Sequence, residues 1–184
     1  MVTEPAPADI LTFWYTERMR SQWFSSTTEL DKEIGEKFEP TWNDAATNKL
    51  DSWRNTPEGC LALAIVLDQF PLNMFRGSAK SYSTEAKAVE VSKQAIKKGF
   101  DKLIDPDKLA FLYMPLMHSE TLSDQDLCVE LMSTARLEAN ASFAKHHREI
   151  IRRFGRFPHR NAALNRKSTE AELAYLESGE AFRG

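Results

Sequence analysis

Residues 145–161, KHHREIIRRFGRFPHRN, gather the groups best suited to holding an anion: Arg148, Arg152, Arg153, Arg156 and Arg160 stand beside His146, His147 and His159. Five of the twelve arginines lie between residues 148 and 160, in a chain whose formal net charge is -3, so positive charge is concentrated here against an acidic background. Arginine presents a planar, permanently charged fork that meets carboxylates and phosphates with paired hydrogen bonds. Gly155 divides the block. Before it, Phe143, His147, Ile150 and Phe154 keep helical spacing, which predicts an inward stripe with His147 in the core and Arg148 and Arg152 facing elsewhere. After it, Arg156-Phe157-Pro158-His159-Arg160-Asn161 reads as a proline-stiffened turn pinned by Phe157, its donors directed toward a shared space that suits a carboxylate or phosphate. Equally compatible with the pattern is a turn whose donors satisfy helix-terminal carbonyls and a buried acid.

Two further motifs interrupt the helical pattern. In Leu67-Asp68-Gln69-Phe70-Pro71-Leu72-Asn73-Met74-Phe75-Arg76-Gly77, a helical projection sets Asp68 between Leu61, Ala64 and Ile65, a carboxylate on an apolar face. Such a group needs a cation or a pocket, because an unpartnered buried charge is costly. Asn73 and Arg76 follow in a polar turn. In Tyr113-Met114-Pro115-Leu116-Met117-His118-Ser119-Glu120, Pro115 is expected to bend the chain just before His118 and Glu120, a pair able to do acid and base work near neutral pH or simply to end a helix. His146 and His147 are adjacent and diverge on a helix, and no histidine pair flanks a glutamate at metal-binding spacing, so no metal is expected. Nucleophile-elbow, phosphate-loop and dinucleotide fingerprints are lacking too, and no cofactor is expected.

The elements that must carry these motifs read as helices throughout, since no segment alternates apolar and polar residues over strand lengths. A first helix is expected from an Asp9 cap to about Arg20, after a flexible tail over residues 1–8. Thr27 caps a second, carrying Leu30, Ile34, Phe38 and Trp42 at four-residue spacing and kinked by Pro40. Thr56-Pro57 opens a strongly apolar third that must stop or bend near Phe70, the residue before Pro71. A fourth runs from Ser83 or Thr84 to Lys97, closed by Gly99, and Asp105-Pro106 starts a fifth through Leu116. Ser123 with Asp126 resembles a capping box for a sixth; Asn140 caps a seventh ending at Gly155; Thr169 with Glu172 forms a box for the last, which ends by Glu177. The fold class is all-α: about eight helices in one domain over residues 9–184, as stacked antiparallel hairpins of tetratricopeptide-like kind or as an irregular bundle.

Composition narrows the setting. A chain of 184 residues with 42% hydrophobic and 28% charged residues suits one globular domain with a sizeable core. Its longest apolar run, Cys60 to Leu67, is far short of the roughly 20 residues that cross a bilayer, so no membrane partner is expected. The N-terminus lacks the order of a secretory signal, and Cys60 and Cys128 read as buried thiols, which together point to the cytoplasm. Overall acidity argues against nucleic acid.

WF at 23–24, LDQFPxNMFRG at 67–77, FLYMPxxHSE at 111–120 and RFGRFPHRN at 153–161, in this order, resemble the bacterial domain-of-unknown-function family 924 over nearly the whole chain, from about Ile10 to Leu176. The resemblance implies a tetratricopeptide-like helical fold and no established activity. Its motifs fall on Asp68, Gln69, Asn73, Arg76, His118, Glu120, Arg156, His159, Arg160 and Asn161, while Leu72 departs from a position where the family commonly has arginine.

Three functional expectations follow. In the first, the motifs converge on a pocket for a small anionic ligand or peptide carboxylate, gripped by Arg76, Arg156 and Arg160 and oriented by His159 and Asn161. In the second, the protein is a hydrolase or isomerase using His118 or His159 with Asp68 or Glu120. In the third it is a protein-interaction scaffold whose polar motifs serve folding.

Overall fold

Three threonines set helix starts as their sequence positions predict. Thr27, Thr56 and Thr169 each accept the backbone N–H three residues on, from Leu30 at 3.2 Å, Gly59 at 3.1 Å and Glu172 at 3.2 Å, satisfying donors that a helix N-terminus leaves open. The computed structural model describes residues 5–183, and among them there is no strand. In chain order the helices are α1 (Pro7–Trp14), α2 (Glu17–Arg20), α3 (Thr28–Ala46), α4 (Pro57–Ala64), α5 (Phe70–Met74), α6 (Glu85–Lys97), α7 (Pro106–His118), α8 (Leu122–Thr134), α9 (Glu138–Phe154) and α10 (Glu170–Glu177). The all-α expectation holds.

Several boundaries differ from the sequence reading, each for a local reason. Residues 1–4 of the expected tail lie outside the described residues, while Pro7 and Ala8 are already helical. Asp9 is therefore inside α1, where its carboxylate accepts the Ala6 N–H at 2.9 Å. The first helix breaks after Trp14, and Thr16 caps α2 by accepting the Met19 N–H. Ser123 and Asp126 form no capping box: the residue preceding α8 is Thr121, and Asp126 instead faces Arg148 at 3.4 Å and Arg152 at 3.8 Å. Asn140 is no cap either, because α9 begins two residues earlier in an alanine-rich stretch, and the Leu137 carbonyl accepts from Ala141 at 2.8 Å. Gly99 and Gly155 close their helices at φ +71°, as glycine at such a position allows.

The contacts divide the chain into two compact units. One comprises the described residues up to Arg76 with Lys80–Pro115; the other comprises Gly77–Ala79 with the residues from Leu116 onward.

In the first unit the apolar helix does not end at Phe70. It widens into a single π-helical turn, Ile65–Gln69, and continues as α5 through Pro71. Pro71 has no N–H to offer the carbonyl four residues back, which is that of Leu67. That carbonyl is satisfied from the next helix start: the Thr84 hydroxyl donates to it at 2.6 Å and accepts from the Trp42 indole at 3.1 Å. Around this segment Phe38 and Phe70 stack at 4.8 Å, and Trp14 meets Phe70 at 5.7 Å and Phe111 at 5.4 Å, all edge-on or offset as aromatic quadrupoles prefer.

In the second unit α9 packs along α8, and its buried residues are Ala141, Ala144, His147, Ile150 and Ile151. Phe143, expected in this stripe, is 61% exposed, whereas Ala141 and Ala144 on the same turn are buried. Ile150, Ile151, Phe157 and Tyr175 form the local core, with Phe154, Leu176, Ala181 and Phe182 packed against it.

Replacing Thr84 with valine keeps its shape but leaves the Leu67 carbonyl and the Trp42 indole without their shared hydroxyl. Urea unfolding should show a loss of about 2 kcal/mol, given the 1–3 kcal/mol typical of one orphaned buried polar group, and Thr84→Ser should restore most of it. Equal stability of the valine variant and wild type would refute the role of this bridge.

Candidate functional site

The turn after α9 is held by two carboxylates that come from other parts of the second unit. Glu172, in the first turn of α10, receives both edges of the Arg156 guanidinium, Nε at 2.6 Å and Nη2 at 2.8 Å. The same carboxylate accepts the Thr169 N–H at 2.8 Å and the Asn161 amide at 3.3 Å, so the capping box of α10 and the arginine turn share one acid. Arg156 also donates to the Lys167 carbonyl at 2.9 Å. Glu172 is buried, and its hydrogen bonds with Arg156, then with the Thr169 N–H, hold its carboxyl down at about 2.

Glu120 plays the matching role on the other side. It receives Arg166 through Nη1 at 2.7 Å and Nη2 at 2.9 Å, together with the Phe157 N–H at 2.8 Å. Arg166 reaches on to the Phe157 carbonyl at 3.1 Å and, through Nε, to Asn161 Oδ1 at 2.9 Å. Both polar groups of the Phe157 peptide are thus engaged by one ion pair. Burial works to raise the Glu120 pKa, but the hydrogen bonds from Arg166 and the Phe157 N–H, with the charges of Arg160 and Arg166, outweigh it and hold the carboxyl below its usual range. Asn161 completes the frame through a bond to the Ser168 hydroxyl at 3.1 Å.

Within this frame the Phe157 ring is fully buried and the Arg160 guanidinium lies 4.6 Å from its centre. Arg160 donates to the His118 carbonyl at 2.8 Å, and Gln125 donates to the Met117 and Ser119 carbonyls at 2.6 and 2.7 Å. These bonds cap the C-terminal end of α7, which passes Pro115 and ends at His118. His147 is the core histidine its spacing suggested. Its Nδ1 donates to the Phe143 carbonyl at 2.8 Å, which leaves Nε2 as an acceptor. The His147 and His159 rings both contact Phe157, at 5.5 and 5.6 Å between centres, and both contact Phe182, at 4.4 and 5.0 Å. The His118 ring lies 6.4 Å from that of His147. Burial pushes His147 down to about 3, helped by His118; burial does the same to His159, also about 3, helped by the charge of Arg160. Both imidazoles are neutral at physiological pH.

The ten candidate residues therefore have different surroundings. Six belong to the second unit: His118, Glu120, Arg156, His159, Arg160 and Asn161. Arg156, expected to grip an external anion, has its fork matched by Glu172, and Glu120, weighed as an acid or base, is ion-paired. Asn161 is a frame residue, buried and bonded at both ends of its amide. The other four belong to the first unit. There Asp68 and Gln69 are buried side by side, with the Gln69 amide donating to Asp68 Oδ2 at 2.6 Å. Asn73 donates to the Gln69 carbonyl at 3.0 Å. Arg76, also expected to hold the anion, pairs instead with Asp31 through Nε at 2.8 Å and Nη2 at 3.1 Å and bonds Ser26 at 2.6 Å. An open groove of about 650 Å³ in the first unit, lined by Asp51, Arg54, Glu90, Lys93 and Lys97, touches none of the ten. No cluster of three or more His, Cys, Asp or Glu among the described residues is arranged to hold a metal.

The partners Arg166 and Glu172 and the covering Phe182 escaped the sequence reading as site residues. Only Glu172 left a signal, in its capping-box spacing from Thr169, and that signal spoke for a helix start and not for a bond to Arg156.

Fold and network together define an all-helical protein whose second unit is organised about an ion-paired arginine turn. Over residues 10–180 the chain matches DUF924, a bacterial protein family of unknown function, and it belongs to that family. It is also similar to a solved protein of unknown function from Agrobacterium tumefaciens, 37% identical, with 94% of this chain and 97% of that one covered and a TM-score of 0.89. Among curated proteins nothing matches the chain.

Removing Glu172 strands Arg156 and uncaps α10. Glu172→Ala should lower stability by about 3 kcal/mol, the scale for breaking a buried pair, whereas Glu170→Ala, exposed on the same turn, should stay within about 0.5 kcal/mol in chemical denaturation. Similar losses in the two variants would refute the shared-acid frame.

Acid should weaken the protein in two overlapping windows. Unfolded, His147 and His159 take up protons near 6.5; folded, they resist protonation to about 3, so stability falls as pH drops through that interval. Glu172 adds stability that is complete above its ordinary 4.5 and is lost as pH falls toward 2. Urea midpoints should therefore decline between pH 7 and pH 5, before carboxylates titrate, and decline less in His147→Phe; a flat wild-type profile there would contradict buried neutral imidazoles.

Proposed function

We propose that the chain is a cytoplasmic protein that binds a small anionic ligand in its second unit, at His118, His147, His159 and Arg160. The supporting observation is the division of labour in the arginine turn. Arg156, Arg166, Glu120 and Asn161 are taken up by one another and by Glu172, whereas no hydrogen bond engages the His159 ring among the described residues. Two neutral imidazoles beside an arginine supply an acceptor or donor next to a cation, a combination suited to an anion that also carries a hydroxyl or a flat polar group. Two buried free cysteines fit a reducing compartment. No described helix is long and apolar enough to cross a membrane.

The competing scaffold reading draws on the same frame, since Arg156 and Glu120 serve the fold. Thermal-shift measurements separate the two. With phosphate, acetate, benzoate and citrate as probes, at least one should stabilise wild type, by about 2.7 kcal/mol at a hundredfold excess over its dissociation constant. His159→Ala should abolish that shift in a variant that still unfolds cooperatively. If no probe moves the wild type and His159→Ala lowers the basal midpoint, the residues serve folding alone.

A further inference from the structure

Four rings close a circuit in the second unit. Phe157 touches His147 and His159, and Phe182 touches the same two imidazoles from a different part of the chain. The two phenyl walls differ in how they are held. Phe157 is fully buried, its peptide engaged on both sides by Glu120 and Arg166, so it cannot leave without breaking the frame. Phe182 is only half-buried and follows α10 on a short irregular segment. That segment is tied by its own N–H to the Tyr175 hydroxyl at 2.9 Å and by local bonds of Ser178, and no ion pair is made by Glu180 or Arg183 among the described residues. A wall held by apolar contact and three local hydrogen bonds, none of them fully buried, opens at lower cost than one built into a core.

We infer that Phe182 is an internal occupant of the imidazole site: the ligand that belongs there pairs a flat aromatic ring with an anionic group, and it binds by displacing residues 179–182. The ring would take the place of Phe182 against the His147 and His159 faces, which already meet a phenyl group tilted by 58° and edge-on at 82°. Its anion would lie toward Arg160, whose guanidinium adjoins Phe157 and already donates to the His118 carbonyl. An internal occupant lowers apparent affinity by the fraction of molecules in which the site is open, so removing it should tighten binding without any new contact.

This inference rests on the histidine site being a ligand site, but the covering by Phe182 is tested without ligand. The full chain, as wild type, Phe182→Ala and Phe182→Leu, would be treated with diethyl pyrocarbonate near neutral pH, and modification of His147 and His159 followed by peptide mass spectrometry. Phe182→Ala should raise the reactivity of both by about tenfold or more, Phe182→Leu should stay near wild type because it retains an apolar cover, and His146, exposed in all three, provides the internal standard. Benzoate should then protect the two histidines in Phe182→Ala and bind it about tenfold more tightly than wild type, whereas acetate should not. Unchanged reactivity in Phe182→Ala, with the leucine variant folded, overturns the inference outright. Increased reactivity with protection by acetate or phosphate as good as by benzoate overturns the ring-bearing ligand while leaving the anion site in place. Failure of every anion to protect removes both.

Discussion

The Phe157 peptide is the point on which the second unit turns. A fully buried phenylalanine in an irregular segment brings two backbone groups with it, and neither can be left without a partner in a water-poor setting. Glu120 accepts the N–H and Arg166 donates to the carbonyl, while the two side chains pair with each other. Because each is charged, these bonds are stronger than neutral ones, and because the pair is two-pronged it fixes direction as well as distance. Everything nearby inherits that geometry: Asn161 is oriented by Arg166, Glu172 by Asn161, and Arg156 by Glu172. The imidazoles are then positioned against a ring that cannot move.

A different device serves the first unit. Pro71 inside an apolar helix would ordinarily end it, yet one wider turn and a borrowed hydroxyl carry the chain through. The donor, Thr84, stands at the start of α6, where a threonine usually caps its own helix by accepting a backbone N–H. Here the side chain makes no such cap and reaches across to Leu67 while accepting from Trp42. Local preference has yielded to a tertiary bond, which is the reverse of what happens at Thr27, Thr56 and Thr169.

That contrast explains what was legible in the sequence. Helices and most of their glycine ends could be read because apolar spacing and cap chemistry are local, and the residues of each motif carry them without help. Phe157 as an anchor and His147 as a core histidine were legible for the same reason, since each follows from spacing against Gly155 and Ile150. Asp126 shows where local reading fails: its spacing from Ser123 imitates a capping box, but arginines of α9 claim it. Phe143 fails in another way: the buried positions of that turn are the alanines at 141 and 144, and the ring is left outward. The partners Arg166 and Glu172 were not legible as such, since salt bridges between residues 46 and 16 positions apart leave no periodic trace in either partner.

Charge concentration in a sequence is accordingly a poor guide to free charge in a fold. The arginine block looked like an unmet demand for an anion because its acids were counted only within the block. Folding brings Asp126 to Arg148 and Arg152, and Glu172 to Arg156, from beyond it. Such pairs contribute little when exposed but specify geometry strongly when one partner is buried, as Glu172 is. Burial keeps His147 and His159 neutral, and His147 spends its one ring N–H on the Phe143 carbonyl, leaving Nε2 as an acceptor. In this block burial holds two histidines neutral, while charged partners from beyond the block hold Arg148, Arg152 and Arg156.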